Sequence, residues 1–122
     1  MAIRFCNSGK KQYVKTGRLD VPAQTTVSVD CGFVPVYIAI TIVRNSAVRS
    51  HQVYDSRIST TTVSKTGQDT TDTVGIPTNV ENLFTDDGKG FKVKNGYNYG
   101  GWYFYYEAIG EFSDGDNGMK EE

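Results

Sequence analysis

The stretch Trp102-Tyr-Phe-Tyr-Tyr-Glu-Ala-Ile-Gly110 is the most informative part of the sequence, because it places five aromatic residues in succession. Aromatic side chains fit the pleated surface of a β-sheet and bury large apolar areas, so this run favours a central strand. Successive side chains of a strand point to opposite faces. The face predicted to point to the core carries Trp102, Phe104, Tyr106 and Ala108. The opposite face, expected to meet a partner, a sugar or water, carries Tyr103, Tyr105, Glu107 and Ile109.

The size and composition of the chain indicate one domain with a small core. It has 122 residues, of which 38% are hydrophobic and 22% charged, and this apolar content is lean for a globular protein. Burial of so few apolar side chains offsets the entropy of ordering the chain only narrowly, which favours an oligomer. The formal net charge is −1, so no overall field draws the protein to nucleic acid or to an anionic membrane.

Charge is uneven along the chain and suggests three regions. Residues 1–19 form a basic N-terminal arm or first strand, 20–110 a β-sandwich domain, and 111–122 an acidic flexible tail. The first residues lack the apolar segment of a signal peptide, so we expect no export. The longest apolar stretch, 34–43, is about half of a spanning helix, and we expect no membrane insertion. Cys6 and Cys31 allow one disulfide, but buried thiols are the expectation for a chain made in a reducing cytoplasm.

Strand signals recur at short intervals, and no stretch of ten residues has helical spacing. A corner is predicted at Gly32 and Pro35, a turn at Asn45-Ser46, and a type I′ hairpin at Asn95-Gly96. Residues 66–79 form a polar loop that holds a short strand at 70–74. Short strands separated by such turns and loops are typical of an antiparallel β-sandwich or β-barrel. The predicted strands are 12–19, 25–30, 36–44, 51–58 with a threonine-rich continuation to 65, 80–85, 91–94 and 102–110.

Catalytic motifs are missing from the sequence. His51 is the single histidine and lies beside no nucleophile motif. A GxSxG elbow, an HExxH helix, a phosphate-binding loop and a dinucleotide fingerprint are all lacking. Paired carboxylates of the glycosidase type remain open, because such partners meet only in the fold. We therefore predict that the protein is not an enzyme.

Metal and nucleic-acid binding have only weak signals. Residues 114–118 and 86–88 faintly resemble calcium loops but lack the bidentate glutamate, so we interpret them as solvated turns. Two cysteines and one histidine are too few for a structural zinc site. Lys89, Lys92 and Lys94 lie near Tyr97 and Tyr99 in the sequence, yet lysines on strands commonly protect a sheet edge. We predict no cofactor, no metal and no nucleic-acid partner.

Three segments, taken in order, carry a resemblance to a known group of proteins. Residues 26–40 (TVSVDCGFVPVYIAI) resemble the strand, corner and strand that open many small phage and prophage tail modules. Residues 88–94 (GKGFKVK) are similar to their second strand, and 103–110 (YFYYEAIG) to their closing aromatic strand. The same closing strand resembles that of the H-type lectin family. Together the resemblance spans residues 25–110.

The resemblance implies an all-β fold, an antiparallel β-sandwich of about six strands that assembles as a homotrimer. It implies a virion structural or adhesion module, in a tail, fibre or capsid decoration, made in the host bacterial cytoplasm. Expected partners are other virion proteins, onto which the basic arm would dock, and a host-surface glycan. Tyrosine hydroxyls tolerate the wet rim of an interface. The predicted interface residues are Tyr103, Tyr105 and Glu107.

The alternative is a free lectin-like carbohydrate-binding protein. In that hypothesis aromatic rings stack on apolar sugar faces, and carboxylate or amide oxygens accept protons from sugar hydroxyls. Trp102 also belongs to the predicted core face, and we expect it to be buried instead. The candidate ligand-binding residues are Tyr97, Tyr99, Trp102, Asp86, Asp87 and Asn98.

Overall fold

A computed structural model describes residues 12–111, and within that range the chain is all-β apart from one 3-10 turn. A large antiparallel sheet has the order β1-β8-β3-β4-β5, and a small antiparallel sheet has the order β2-β7-β6. The predicted all-β antiparallel fold is confirmed, with eight strands rather than about six. The strands are β1 (Gln12–Asp20), β2 (Thr25–Asp30), β3 (Pro35–Arg44), β4 (Ala47–Asp55), β5 (Ser64–Gly67), β6 (Val74–Gly75), β7 (Gly90–Asn95) and β8 (Trp102–Glu111).

The aromatic strand β8 is central, since it pairs with β1 on one side and β3 on the other. Trp102 is 1% exposed and Phe104 and Ala108 are fully buried, whereas Tyr105 is 45% exposed. The predicted division of this strand into a core face and an outer face is therefore confirmed.

One hydrophobic core lies between the two sheets, which gives a sandwich-like architecture. The large sheet supplies Ile38, Ile40 and Ile42 from β3, all buried. The small sheet supplies Phe91, whose ring meets the ring of Tyr106 edge-on at a centroid distance of 5.6 Å. Alternating apolar residues thus place both sheets against one another.

Local backbone geometry explains the corner and the first hairpin. Gly32 has a φ of 79° before Pro35 opens β3, as the predicted corner requires. Asn45 and Ser46 have φ of 55° and 62°, the left-handed pair that a type I′ hairpin needs. The turn lets β4 begin at Ala47, whereas the sequence predicted a start at 51.

The predicted strand at 80–85 is wrong, because the chain makes a 3-10 turn at Val80–Asn82. Asn79 caps this turn, since its Oδ1 accepts a hydrogen bond of 2.9 Å from the Glu81 amide. Phe84 then forms an isolated bridge with Phe91. A capped 3-10 turn therefore takes the place of the β-strand that the alternation of apolar residues predicted.

The predicted hairpin at Asn95-Gly96 is also wrong. β7 pairs with β2 and β6 of the small sheet, and the chain then crosses to β8 of the large sheet. Neither Asn95 nor Gly96 has the positive φ of a type I′ turn. Asn95 is instead fully buried, and its side-chain amide donates to the carbonyls of Val21 and Tyr99.

A buried glutamine joins β4 to the loop that leads into β6. Gln52 is fully buried, and its Nε2 lies within hydrogen-bond distance of Ser50 Oγ (3.2 Å), Asp69 O (3.3 Å) and Val74 O (3.2 Å). Its Oε1 accepts a bond of 2.9 Å from the Ile76 amide. A buried amide satisfied at both ends holds a loop in one conformation.

Several sequence predictions fall outside the range 12–111 in whole or in part. They are residues 1–11 of the predicted arm, the tail beyond Glu111, and Cys6 with its disulfide. The remainder of the predicted arm is the strand β1. Cys31 carries a free thiol, and burial raises its pKa.

Acid is expected to weaken the anchor between β5 and the 71–78 loop. Asp72 Oδ1 accepts bonds from Lys65 Nζ (3.0 Å), Thr78 Oγ1 (2.6 Å) and Thr78 N (2.9 Å). Burial opposes ionisation, but these bonds outweigh it and lower the pKa of Asp72 from 3.8 to about 2. A lowered pKa stabilises the fold above the ordinary pKa, and that stability is lost as the pH falls through the folded one. The urea midpoint should therefore fall between about pH 4 and pH 2.

Asp72→Asn tests this assignment. At pH 7 the variant should unfold at lower urea than the wild type, and it should lose less between pH 4 and pH 2. Asp86→Asn, a change at an exposed turn residue, is the matched control and should follow the wild-type profile. An acid response of Asp72→Asn equal to that of the wild type would contradict the assignment.

Candidate functional site

Aromatic and arginine side chains meet at one end of the sandwich. The register of the large sheet places Arg44, the last residue of β3, opposite Trp102, the first residue of β8. Loop 96–101, which precedes β8, adds two tyrosines there, and β4 adds a second arginine. We call this group the aromatic end; it consists of Tyr97, Tyr99, Trp102, Arg44 and Arg49.

The three rings of the aromatic end contact one another. Tyr97 stacks on Trp102 at 5.2 Å between centroids with an interplanar angle of 6°, and on Tyr99 at 5.1 Å. Trp102 is 1% exposed, so the expectation that it is buried is confirmed. Its ring belongs to the core and offers no free face to a sugar. Tyr99, at 40% exposure, is the ring that reaches solvent.

The two arginines differ in how their charges are balanced. Arg49 Nε donates to Asp69 Oδ2 at 2.9 Å, and Tyr97 Oη donates to Asp69 Oδ1 at 2.9 Å. The bond to Asp69 and burial raise the pKa of the Tyr97 phenol. Arg44 lies 4.3 Å from the Tyr99 ring centroid and donates from Nε to Gly100 O at 3.3 Å. No carboxylate of residues 12–111 pairs with Arg44.

Hydrogen bonds to its backbone groups hold loop 96–101 in place. Asn95 Oδ1 accepts from the Tyr97 amide at 3.0 Å, while Asn95 Nδ2 donates to Tyr99 O at 3.0 Å. The amide of Gln24 donates to Tyr97 O, and that of Gly96 to Thr73 O. These bonds from three directions preorganise the loop and the rings that it carries.

The structure separates the predicted ligand-binding residues into two groups. Asn98 is exposed in the same loop as Tyr97 and Tyr99. Asp86 and Asp87 precede the six-residue strand β7, whereas loop 96–101 follows it. A strand of that length spans about 20 Å, so one site containing both groups does not form. Hydrogen bonds from the Lys89 amide and the Thr85 hydroxyl hold Asp87 in its turn and lower its pKa.

A second surface is the outer face of the large sheet, which we define by Val14, Tyr37, Val43, Val48, Tyr103, Tyr105, Glu107 and Ile109. Val14 is 57% exposed, Val48 54% and Tyr105 45%, so these positions are open to solvent in the single chain. The Arg18 guanidinium lies 4.1 Å from the Tyr103 ring centroid and 5.9 Å from that of Tyr105. The three predicted interface residues therefore lie together on one sheet face.

A depression of about 400 Å³ adjoins the outer face beside Tyr37, Glu107 and Ile109. Its wall holds Asp55, which accepts bonds of 2.9 and 2.6 Å from the Arg57 guanidinium. These bonds, with one from the Arg57 amide, lower the pKa of Asp55 to about 2. A fixed ion pair therefore borders the apolar part of the outer face.

Few reactive groups converge elsewhere among residues 12–111. No group of three or more histidine, cysteine, aspartate or glutamate residues in that range could hold a metal ion. His51 Nδ1 lies 3.2 Å from Thr41 Oγ1 on the exposed sheet surface, and no described carboxylate orients its ring. None of the helical segments in the described range has the length and apolar character to cross a bilayer.

The fold and these two surfaces define a β-sandwich-like protein with an aromatic end and an open sheet face. Comparison with models of known protein families, with curated proteins and with solved structures found no match.

Sequence reasoning did not find Arg44, Arg49, Asp69 or Asn95. Arg44 and Tyr99 meet only because β3 pairs with β8, and no local pattern encodes that pairing. Arginine next to a turn was the one available signal, and it is common on solvated strand ends.

Proposed function

We propose that this protein is a non-enzymatic structural or adhesion module of a bacteriophage virion, a tail, fibre or capsid-decoration component. In this proposal it functions as a homotrimer of H-type lectin-like β-sandwiches. The observation that carries the proposal is the open outer face of the large sheet, which exposes aliphatic and tyrosine side chains together. The resemblance of residues 25–110 to phage tail modules supplies the virion context.

The chemistry of the outer face supports contact with another copy of the chain. Protein interfaces combine an apolar, aromatic centre with a polar rim. Here Tyr103 and Tyr105 lie on the same face of β8 beside Arg18, which covers the Tyr103 ring. The Asp55–Arg57 ion pair borders the outer face at the depression beside Tyr37, Glu107 and Ile109. Closed cyclic symmetry would bring three copies of this face together and leave no open edge for further growth.

The proposal predicts that Tyr105→Arg weakens the trimer at least about tenfold in dissociation constant, because buried tyrosines are frequent interface hot spots. Tyr105 pairs with Arg18 across the ladder, so the new cation also meets a like charge. Light scattering should give the wild type the mass of three chains, each of 13.5 kDa, and the variant a lower average mass at the same concentration.

Ser28→Arg is the matched control, because it adds the same charge to the exposed surface of the small sheet on the other side of the molecule. It should leave the mass unchanged. A wild type that remains a single chain at micromolar concentration, or equal effects of both variants, would overturn the trimer. Neighbouring genes for portal, capsid or tail proteins would support the virion assignment, and a metabolic operon would contradict it.

A second candidate function is carbohydrate recognition, favoured by the aromatic end. Tyr99 is 40% exposed and Asn98 is exposed beside it, on a loop whose backbone is already ordered. Aromatic faces with nearby amides suit sugar rings, which combine apolar faces with hydroxyl edges. Saturable binding on a glycan array that Tyr99→Ala abolishes would support this function.

A further inference from the structure

We infer that the aromatic end binds a saccharide carrying an anionic group, with Arg44 binding the anion and Tyr99 contacting the sugar ring. This inference rests on the second candidate function, sugar recognition, and names the chemical class of its ligand. The shared chemistry is a pair of anionic oxygens next to a sugar ring, from a carboxylate or from a phosphate ester. It does not depend on the oligomeric state, because all the residues involved belong to one chain.

Arg44 is the group that points to an anion. Its Nε is occupied by Gly100 O, but neither Nη atom has a hydrogen-bond partner in residues 12–111. Its guanidinium carbon lies over the Tyr99 ring, 4.3 Å from the ring centroid. A guanidinium stacked on an aromatic ring retains the edge that binds carboxylate or phosphate through two parallel hydrogen bonds. Stacking also limits the conformations of the side chain, so little entropy is lost on binding.

Within the part of the chain that the structure describes, one cation of the aromatic end has no carboxylate partner. Arg49 is paired with Asp69, whose two carboxylate oxygens are both occupied. Asp20, on β1, which β8 separates from β3, pairs with Arg18 at 3.4 Å. Arg44 therefore provides an uncompensated positive charge at the point where the aromatic end meets solvent, and such a charge favours anionic over neutral ligands.

The neighbours of Arg44 fit a sugar better than a bare anion. Tyr99 offers 40% of its surface to solvent, and Asn98 is exposed next to it in the chain. Asn45 and Ser46, in the turn that follows Arg44, are exposed as well. This set combines the exposed part of one aromatic ring with neutral hydrogen-bonding groups around a cation, which matches a sugar ring bearing a single charge.

The test compares a charged and a neutral form of one tetrasaccharide and adds a phosphorylated monosaccharide. A hyaluronan tetrasaccharide, the same tetrasaccharide with its carboxylates reduced to alcohols, and glucose 6-phosphate are each titrated into the full chain, and binding is followed by NMR. We expect the reduced tetrasaccharide to bind at least about tenfold more weakly than the best anionic ligand. Preference for the tetrasaccharide or for the phosphate ester distinguishes the two sources of the anion.

Arg44→Gln is expected to weaken anionic binding at least about tenfold and to change neutral binding little. Lys89→Gln removes an equal charge in an exposed turn at the opposite end of β7 and should bind as the wild type does. Near-UV circular dichroism checks that both variants keep their tertiary packing. Arg44→Lys, which keeps the charge without the planar fork, should give an intermediate affinity.

Each adverse outcome has its own meaning. Equal binding of the neutral and anionic ligands, with no effect of Arg44→Gln, overturns the anionic class and leaves sugar recognition standing. Equal losses of affinity for the anionic ligand in Arg44→Gln and Lys89→Gln also overturn the inference, because binding would then depend only on the net charge of the protein. Absence of binding by every sugar at millimolar concentration overturns both the inference and sugar recognition.

Discussion

Trp102→Ala is expected to lower the free energy of unfolding by about 3–5 kcal/mol, the range measured for removal of large buried aromatic side chains. Trp102 is 1% exposed and stacks on Tyr97 with nearly parallel rings. Its loss opens a cavity where β8 enters the large sheet and removes the support of loop 96–101. In a domain of this size such a loss is a large part of the total stability. Urea unfolding followed by far-UV circular dichroism measures it without relying on tryptophan fluorescence.

Two variants show whether packing is the cause. Ile58→Ala changes a side chain that is 83% exposed, and it should alter stability by less than about 0.5 kcal/mol. Trp102→Phe keeps a ring and removes the buried indole N–H, which has no hydrogen-bond partner in the described residues. Since a buried unpaired donor costs about 1–3 kcal/mol, the phenylalanine variant should lose less stability than the alanine variant. A Trp102→Ala variant as stable as Ile58→Ala would refute the core placement.

Gly75→Ala is expected to destabilise the fold by about 3 kcal/mol or more, through backbone strain and the loss of a buried hydrogen-bond network. Gly75 has a φ of 112°, which side-chain-bearing residues rarely adopt. A Cβ there would lie 2.5 Å from Gln52 Cδ and closer still to Oε1. Gln52 is fully buried and bonds to Ser50, Asp69, Val74 and Ile76, so it has no free direction in which to move.

Gly88→Ala isolates the backbone contribution to this effect. Gly88 also has a positive φ, 74°, but a Cβ there would meet nothing within 4 Å. Its substitution should lower the free energy of unfolding by only about 1–2 kcal/mol, because a residue with a side chain is strained in the left-handed conformation. Amide exchange at Ile76, which donates to Gln52 Oε1, should accelerate in Gly75→Ala and remain slow in Gly88→Ala. Similar losses of stability in both variants would show that the Gln52 contacts contribute little.

The hydrogen bonds of Gln52, which Gly75→Ala is expected to disrupt, continue to the aromatic end. Gln52 Nε2 donates to the carbonyl of Asp69, and the Asp69 carboxylate holds both Arg49 and the Tyr97 hydroxyl. One continuous set of buried and partly buried hydrogen bonds therefore runs from β4 through loop 68–73 to the aromatic end. Because Tyr97 in turn stacks on Tyr99, we expect damage to Gln52 to loosen the ring that faces solvent.

Assembly and recognition would use different parts of the molecule. The outer face lies on the broad surface of the large sheet, whereas the aromatic end lies where its strands meet loop 96–101. An interface across the outer face would thus leave Tyr99 and Arg44 available at the end of each chain. Arg18→Gln and Arg44→Gln distinguish the two roles, because Arg18 covers Tyr103 on the outer face and Arg44 covers Tyr99.

Which side of each strand faces the core could be predicted from the order of the residues. Alternation in β8, β3 and β2 is a property of neighbouring residues, and a one-residue shift would bury the opposite set of side chains. For this reason the sequence alone predicts that Phe104 faces the core and that Tyr105 lies on the outer face. The outer-face location of Tyr103, Tyr105 and Glu107 follows from the same alternation.

Which strands pair and which loops meet depends on contacts between distant parts of the chain, and these are seen only in the folded molecule. Asn95-Gly96 has the composition of a hairpin turn, yet Asn95 is buried as a loop anchor, and the type I′ geometry occurs at Asn45-Ser46. Arg44 and Tyr99 are far apart in the chain and come together through the β3–β8 register. Strand pairing depends on the free energy of the whole packed core, which no short window of sequence contains. The faces of the strands are therefore a local property of this chain, and the aromatic end is a product of its fold.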